Sequence, residues 1–290
     1  MFDAYTCARN SCVVVSRVNA RARVDDVVEV DHRVMSAGLS EEALRRRAAV
    51  MRDARARRDR LKRELETFAR DGPSHDLRTP LLSACEDGDA DAARVVLELG
   101  ADVDERDERG TTALMTAASW GHADACRLLL ERGADVNAVD EGGDTALHEA
   151  ARADELDAAE ALGEWPGVDL DAKNKHGCTP LHVASHNGNG AMTKLLIRLG
   201  ASVNGPKGEM RGGYSALHVA AANGSSSSLS ALLESGANIR HVASESNIHR
   251  TASGTALELA EANGQRAAAA LLRHASDLEF QRGGLFGDGG

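Results

Sequence analysis

Two histidines four residues apart, His182 and His186, form the first pair whose spacing could support chemistry. On a helix such a pair lies on one face, where two imidazoles can bind zinc. A zinc hydrolase of this type also needs a glutamate directly after the first histidine, and this chain has Val183 there. His148 and His218 occur in the same local sequence as His182, so this histidine belongs to a recurring motif. The sequence therefore predicts no metal site.

A second candidate is the glycine pair Gly188 and Gly190, followed by Lys194. The spacing does not match the Gly-x-x-x-x-Gly-Lys-Ser/Thr pattern that wraps a phosphate. The chain's five cysteines include no Cys-x-x-Cys pair for metal or redox chemistry. No nucleophile, base and oxyanion-stabilising group can be recognised together. We therefore expect no catalytic activity and no cofactor.

The charges are distributed unevenly along the chain. Residues 1–76 contain 16 Lys and Arg against 13 Asp and Glu, and residues 77–290 contain 18 against 32, giving net charges of +3 and −14. The acidic part disfavours nucleic acid and anionic membrane, because both are bound through Lys and Arg. No secretory signal or membrane span is recognisable, so we expect a cytoplasmic or nuclear protein with free thiols.

A seven-residue motif recurs with a regular step. It is TALMTAA from Thr112, TALHEAA from Thr145, TPLHVAS from Thr179 and SALHVAA from Ser215, with degenerate copies from Thr79 and Thr255. The steps between these starts are 33, 33, 34, 36 and 40 residues. A second marker, Gly-Ala followed by Asp, Ser or Asn, keeps the same phase from Gly100, Gly133, Gly200 and Gly236. Two motifs in one phase indicate a repeat architecture.

The second unit shows what the motif does. Thr112 is expected to begin a short helix with Leu114 on its inner side, and Gly121 to end it. A second helix, about 123–131, directs Leu128, Leu129 and Leu130 into the same core. One unit cannot bury its own apolar face, so stability must come from stacked neighbours.

These residues resemble the ankyrin repeat, whose pattern includes Thr-Pro-Leu-His-x-Ala-Ala and a Gly-Ala-Asp-Val-Asn loop. The resemblance covers residues 77–274 and implies about six repeats, starting near 77, 107, 140, 174, 210 and 250. It implies an all-α solenoid of stacked helix pairs with short β-hairpin fingers. The motif histidine is then structural and forms hydrogen bonds near the turn.

The segments outside the repeats are less regular. Residues 1–39 are expected to be disordered, 40–71 to form one long charged helix, and 275–290 to be a flexible Gly-rich tail. Three roles remain open for 40–71: a cap on the first repeat, coiled-coil pairing, or a basic surface for nucleic acid or membrane. We expect a monomer, or a dimer formed through 40–71.

The repeats also depart from their own pattern. In the third unit Asp154 replaces the helix-ending glycine, and the junctions around 205–210 and within 240–254 are longer than the others. Insertions in such arrays often lie on the binding side. Tolerated variation in loop length is an equal alternative.

The resemblance further implies a protein-interaction scaffold or adaptor that binds partners on its concave face and finger tips. Alternatives are a regulatory inhibitor that masks a basic segment, and a targeting subunit of a larger ubiquitin-ligase, kinase or phosphatase complex. The charge favours a protein partner with a basic or mixed-charge segment. The candidate partner-binding residues are Glu108, Arg109, Thr111, Ser119, Trp120, Glu141, Asp144, Arg152, Lys175, His176, His186, Asn187, Tyr214 and Asn223.

Trp120 and Tyr214 are the expected anchors of that surface, because aromatic side chains commonly dominate interface energy. Packing of Trp120 against a neighbouring repeat is the alternative. Asn137 and Asn204 occupy the loop asparagine position, which in related arrays can be hydroxylated. A structural role in bonding the loop backbone is the simpler interpretation.

Overall fold

The structure is a computed structural model that describes residues 79–204, 213–243 and 254–284, together with 52, 55, 56, 58–60, 62 and 63. The chain divides into two units, Met1–Arg57 and Arg58–Gly290. The described residues from 52 to 63 are helical. The predictions for residues 1–39, for most of 40–71 and for 285–290 concern residues outside this description.

From residue 79 onward, the described residues form six helix pairs. They are α1 (Pro80–Glu86) with α2 (Ala90–Glu98), α3 (Ala113–Ser119) with α4 (Ala123–Glu131), α5 (Ala146–Ala153) with α6 (Leu156–Gly163), α7 (Pro180–Asn187) with α8 (Gly190–Leu199), α9 (Ala216–Asn223) with α10 (Ser226–Glu234), and α11 (Ala256–Ala262) with α12 (Arg266–Gly284). Strands β1 (Val242–Ala243) and β2 (Gly254–Thr255) pair antiparallel before α11.

Each first helix begins at the Thr or Ser of the motif. The hydroxyl group of Thr112 accepts a hydrogen bond from the backbone N–H of Met115 (3.3 Å), which satisfies one of the donors left free at a helix start. After most first helices a glycine adopts a left-handed conformation. Asp154 occupies that position in the third pair with φ of 63°, and it is the one non-glycine residue with positive φ among the described residues.

The pairs stack in two layers. Each first helix contacts the first helices of the neighbouring pairs, and each second helix does the same in its own layer. One apolar cluster of small aliphatic side chains runs through the stack from Leu81 to Leu272. Leu128, Leu129 and Leu130 are all buried, as the sequence predicts. Alanines on the first helices allow this close approach of neighbouring helices.

Three buried histidines connect neighbouring pairs. In each, Nδ1 accepts the backbone N–H of the capping residue, as from Thr179 to His182 (3.2 Å). Because Nδ1 is the acceptor, the proton lies on Nε2, which donates to a carbonyl oxygen of the next pair. The acceptors are Cys178 for His148, Tyr214 for His182 and His241 for His218. The structural role predicted for these histidines follows directly from this geometry.

The loops after the second helices are connected in a similar way. The side chain of Asn137 donates to the carbonyl of Gly167 and accepts the N–H of Asp169, both at 2.8 Å. Asn204 makes the same two bonds to Gly236 and Asn238. Both asparagines therefore bond the loop backbone of the following pair.

The expected β-hairpin fingers are short, and those that the structure describes are closed by a backbone hydrogen bond such as that from the N–H of Asp107 to the carbonyl of Thr111 (3.1 Å). In the described residues, strand pairing is limited to β1–β2 and an isolated bridge between Arg106 and Thr112. An acidic or amide side chain adds further bonds within the turn: Oδ1 of Asp107 accepts the N–H groups of Arg109 and Thr111, both at 2.8 Å. Such side-chain acceptors stabilise short turns in addition to the backbone bonds.

The prediction of a flexible tail from residue 275 is wrong for residues 275–284. Helix α12 continues to Gly284, ten residues beyond the end assigned to the array. The stretch after His274 contains no proline or glycine before Gly283, so nothing in it ends the helix.

Candidate functional site

The structure places the sequence-predicted site residues mostly at the surface. Thr111, Ser119 and Asp144 are half-buried, and the others are exposed, with one exception. That exception is Tyr214, which is only 3% exposed. Its ring packs against Ala243 and Leu259 of the following pair and edge-on against His218. The prediction of Tyr214 as an exposed anchor is therefore wrong.

Five of the predicted residues meet in one surface hollow of about 450 Å³, which we call the finger groove. It is formed by the first helices of three pairs and the finger turns beside them. Its lining consists of Leu82, Glu86, Asp107, Arg109, Thr111, Met115, Thr116, Ser119, Trp120, Asp140, Glu149 and Arg152. Trp120 is the one aromatic residue among them.

Trp120 lies directly after helix α3 and is 57% exposed. The alternative, that Trp120 packs against a neighbouring repeat, does not fit this exposure. The other tryptophan, Trp165, does pack in this way and is half-buried against the apolar cluster. An indole exposed to this extent loses contact with water when a partner covers it, which makes it a suitable anchor.

Arg152 organises one side of the groove. Its guanidinium donates to both Asp144 and Glu149. Burial by itself would raise the pKa of Asp144, but hydrogen bonds from Asn174 and Arg152 outweigh that effect and lower it. The carboxylate therefore stays ionised. Oxygens of Asp140, Asp144 and Glu149 lie within 4.8 Å of one another, so a third carboxylate lies beside the two that Arg152 binds.

The finger turns support each other through backbone hydrogen bonds. The N–H of Glu141 donates to the carbonyl of Arg109, and the N–H of Lys175 donates to Gly142, both at 2.9 Å. Gly143 must be glycine here, because its φ is +78° and a Cβ would lie 2.9 Å from the backbone nitrogen of Lys175. Glu108, Glu141, Lys175 and His176 are consequently presented at the tips of a bonded row of turns.

A second hollow, of about 310 Å³, lies between the fourth and sixth pairs. Exposed His186 and Asn223 line it, and the side-chain nitrogen of Asn223 lies 2.7 Å from Nδ1 of His186. The predicted residue Asn187 donates to the carbonyl of Arg152 at 3.1 Å. The residues that line this second hollow include no Asp, Glu, Lys or Arg.

His182 and His186 do not form a shared ligand site. His182 is 2% exposed and bonded to Tyr214, whereas His186 is exposed. Burial lowers the pKa of His182 to about 4, against the opposing effect of its hydrogen bond to Tyr214.

Comparison with protein families identifies the architecture. The family model described as "Ankyrin repeats (3 copies)" matches residues 61–140, 81–174 and 147–243. These matches span more than half of the chain. The chain belongs to the ankyrin repeat family. A search of curated proteins finds no match to it.

Ankyrin repeats are generally protein–protein interaction modules and are typically non-enzymatic, which agrees with the function predicted from the motif. No helix in the part of the chain that the structure describes combines the length and apolar character needed to cross a membrane.

On the opposite surface of this ankyrin array, formed by the second helices, several charges form ion pairs within the array. Ion pairs join Arg132 to Glu98, Arg198 to Glu160 and Lys194 to Glu234, each between neighbouring pairs. Such pairs add little stability at an exposed surface. The six charged groups that form them are nevertheless already paired within the array.

Sequence reasoning missed the acidic residues of the groove, chiefly Asp107 and Asp140. A signal for them exists, because each stands five residues before the threonine that starts the seven-residue motif, Thr112 or Thr145. The motif explains them as turn residues, and nothing in it shows that they also face the groove.

Proposed function

We propose that this ankyrin protein is a scaffold or adaptor that binds partner proteins through the finger groove and the adjacent finger tips. The observation that carries the proposal is Trp120, an indole 57% exposed inside a hollow formed by three helix pairs. Exposed aromatics in hollows of this kind are typical centres of binding energy.

The charge of the groove supports a partner with a basic or mixed-charge segment. Its lining has four acidic and two basic side chains. Residues 77–290 as a whole carry a net charge of −14, which attracts cationic segments over a distance and accelerates their association.

The contrast between the two surfaces supports this location of the site. On the second-helix surface, three ion pairs connect neighbouring helices within the described residues. The first-helix surface instead offers a hollow with an exposed aromatic and an excess of acids. A partner gains more binding energy by covering the first-helix surface than by covering the second-helix surface.

The experiment compares three full-length proteins: wild type, Trp120→Ala and Trp165→Ala. Partners are identified by affinity purification with mass spectrometry, and dissociation constants are then measured with purified components. We expect Trp120→Ala to weaken partner binding by about 2 kcal/mol while leaving thermal unfolding nearly unchanged.

Trp165→Ala is the matched control. We expect it to lower stability, because Trp165 packs on the apolar cluster, and to leave the affinity of the folded protein unchanged. A large loss of stability in Trp120→Ala with unchanged affinity would assign Trp120 to the core and refute the proposal.

A further inference from the structure

We propose that the finger groove recognises an arginine side chain of the partner, with its guanidinium over the indole of Trp120 and against the carboxylates of Asp107 and Asp140. The inference rests on the proposed function and specifies the partner chemistry of that site.

The first support is the state of the two carboxylates. Oδ1 of Asp107 accepts hydrogen bonds from the N–H groups of Arg109 and Thr111. Oδ1 of Asp140 accepts a hydrogen bond from the N–H of Asp144, and all three distances are 2.8 Å. In the part of the chain that the structure describes, neither Oδ2 atom has a donor. Both residues are half-buried. Each can therefore accept a hydrogen bond from a ligand without disturbing its turn.

The second support is the local excess of negative charge. Arg152 is bonded to Asp144 and Glu149, and Asp140 is the third carboxylate beside them. The lining contains one other cation, Arg109, and two further acids, Glu86 and Asp107. One added guanidinium would reduce the net negative charge of the lining, whereas an added carboxylate would increase that negative charge.

The third support is Trp120 itself. A guanidinium is planar, stacks on an indole face and can also form two parallel hydrogen bonds to a carboxylate. An ammonium group cannot do both in the same plane, so arginine fits this combination better than lysine.

The probe is a capped Gly/Ser peptide containing two arginines, titrated into full-length ¹⁵N-labelled protein. The chain has two tryptophans, so the spectrum has two indole N–H signals, which a Trp165→Phe variant assigns. We expect the Trp120 signal to shift saturably and the Trp165 signal to stay in place. The same peptide with lysine should bind more weakly, and with neutral citrulline in place of arginine the affinity should fall about fivefold.

The decisive variant is Asp107→Asn with Asp140→Asn. Asparagine keeps the Oδ1 acceptor, as Asn174 does for the N–H groups of His176 and Cys178 in the corresponding turn. We expect about a fivefold loss of peptide affinity. The matched control, Asp102→Asn with Asp135→Asn, also removes two charges while keeping Oδ1 bonds to Asp104 and Asn137. That control should bind like wild type.

Equal binding of the arginine and citrulline peptides, no shift of the Trp120 signal, or an unchanged affinity in the groove variant would overturn the inference. Partner binding that is lost in Trp120→Ala but kept in the double Asp→Asn variant would leave the proposed function standing without the arginine. Partner binding that is indifferent to both changes would remove the proposed function itself.

Discussion

Nε2 of His182 lies 3.1 Å from the carbonyl oxygen of Tyr214, so one imidazole joins the fourth helix pair to the start of the fifth. The other ring nitrogen accepts the backbone N–H of Thr179. The histidine thereby caps its own helix and satisfies a carbonyl of its neighbour. Its contribution is to the interface between two pairs, which is where an array of this kind gains its stability.

Replacement of His182 by methionine tests that contribution. Met115 occupies the same motif position in the second pair, so the side chain suits the local fold. We expect the free energy of unfolding to fall by about 2 kcal/mol, because the buried carbonyl of Tyr214 loses its donor. Urea denaturation at neutral pH measures the change. The control is His186→Met at an exposed position; a similar loss there would contradict the interpretation.

The same histidines predict a dependence of stability on pH. Burial lowers the pKa of His182 and of His218 to about 4, from about 6.5 in an unfolded chain. The unfolded state therefore takes up protons first as pH falls. Stability from these groups is complete above pH about 6.5 and is lost progressively as pH falls towards about 4.

For His182 this linkage amounts to about 2 kcal/mol at pH about 5. Thermal unfolding of wild type and His182→Met at pH about 7.5 and about 5 provides the measurement. The variant should lose less stability between these two conditions than wild type does. An equal or greater loss would show that His182 is not among the responsible groups.

Asp154 predicts a stabilising substitution. Its φ of 63° is a left-handed conformation that costs an L-residue energy and costs glycine little. We expect Asp154→Gly to raise the free energy of unfolding by about 0.5 kcal/mol, a modest gain because aspartate tolerates this region better than most residues.

The matched control for Asp154→Gly is Gly264→Ala in the sixth pair. Gly264 has φ of +71° and open space where the methyl group of an alanine would lie, so only backbone strain acts there. That variant should lose about 1 kcal/mol. A destabilising effect of Asp154→Gly in chemical denaturation would contradict this account.

Cys85 and Cys126 predict slow thiol chemistry in the folded protein. Both are fully buried, and burial raises the pKa of each thiol to about 12. We expect iodoacetamide at pH about 8 to leave both unmodified while the urea-unfolded protein reacts fully. Peptide mass spectrometry gives the readout at each cysteine. Rapid modification of Cys85 without unfolding would mean that the first pair opens locally.

The sequence is most informative where the repeat dictates packing. The positions of Leu114, Leu128 and Leu129 follow from the period, and the structure buries them. Tyr214 could not be placed in this way, because the residues that cover it include Ala243 of β1, in the irregular connection before the sixth pair. Periodicity carries no information about such a segment.

The groove illustrates the same limit. The motif identifies Trp120, Arg109 and Arg152 one by one as surface residues, and the structure brings them together. The spacing of three first helices and of the finger turns beside them creates the hollow. That depends on contacts between repeats, which no single repeat encodes.

The junctions around 205–210 and within 240–254 are longer than the others, yet the flanking helices keep their stacking: α8 still packs on α10, and α9 on α11. The scaffold is therefore insensitive to how much chain these two junctions contain. An engineer could therefore place a reporter domain or a foreign epitope at either point, with the stacked helices as the frame that displays it.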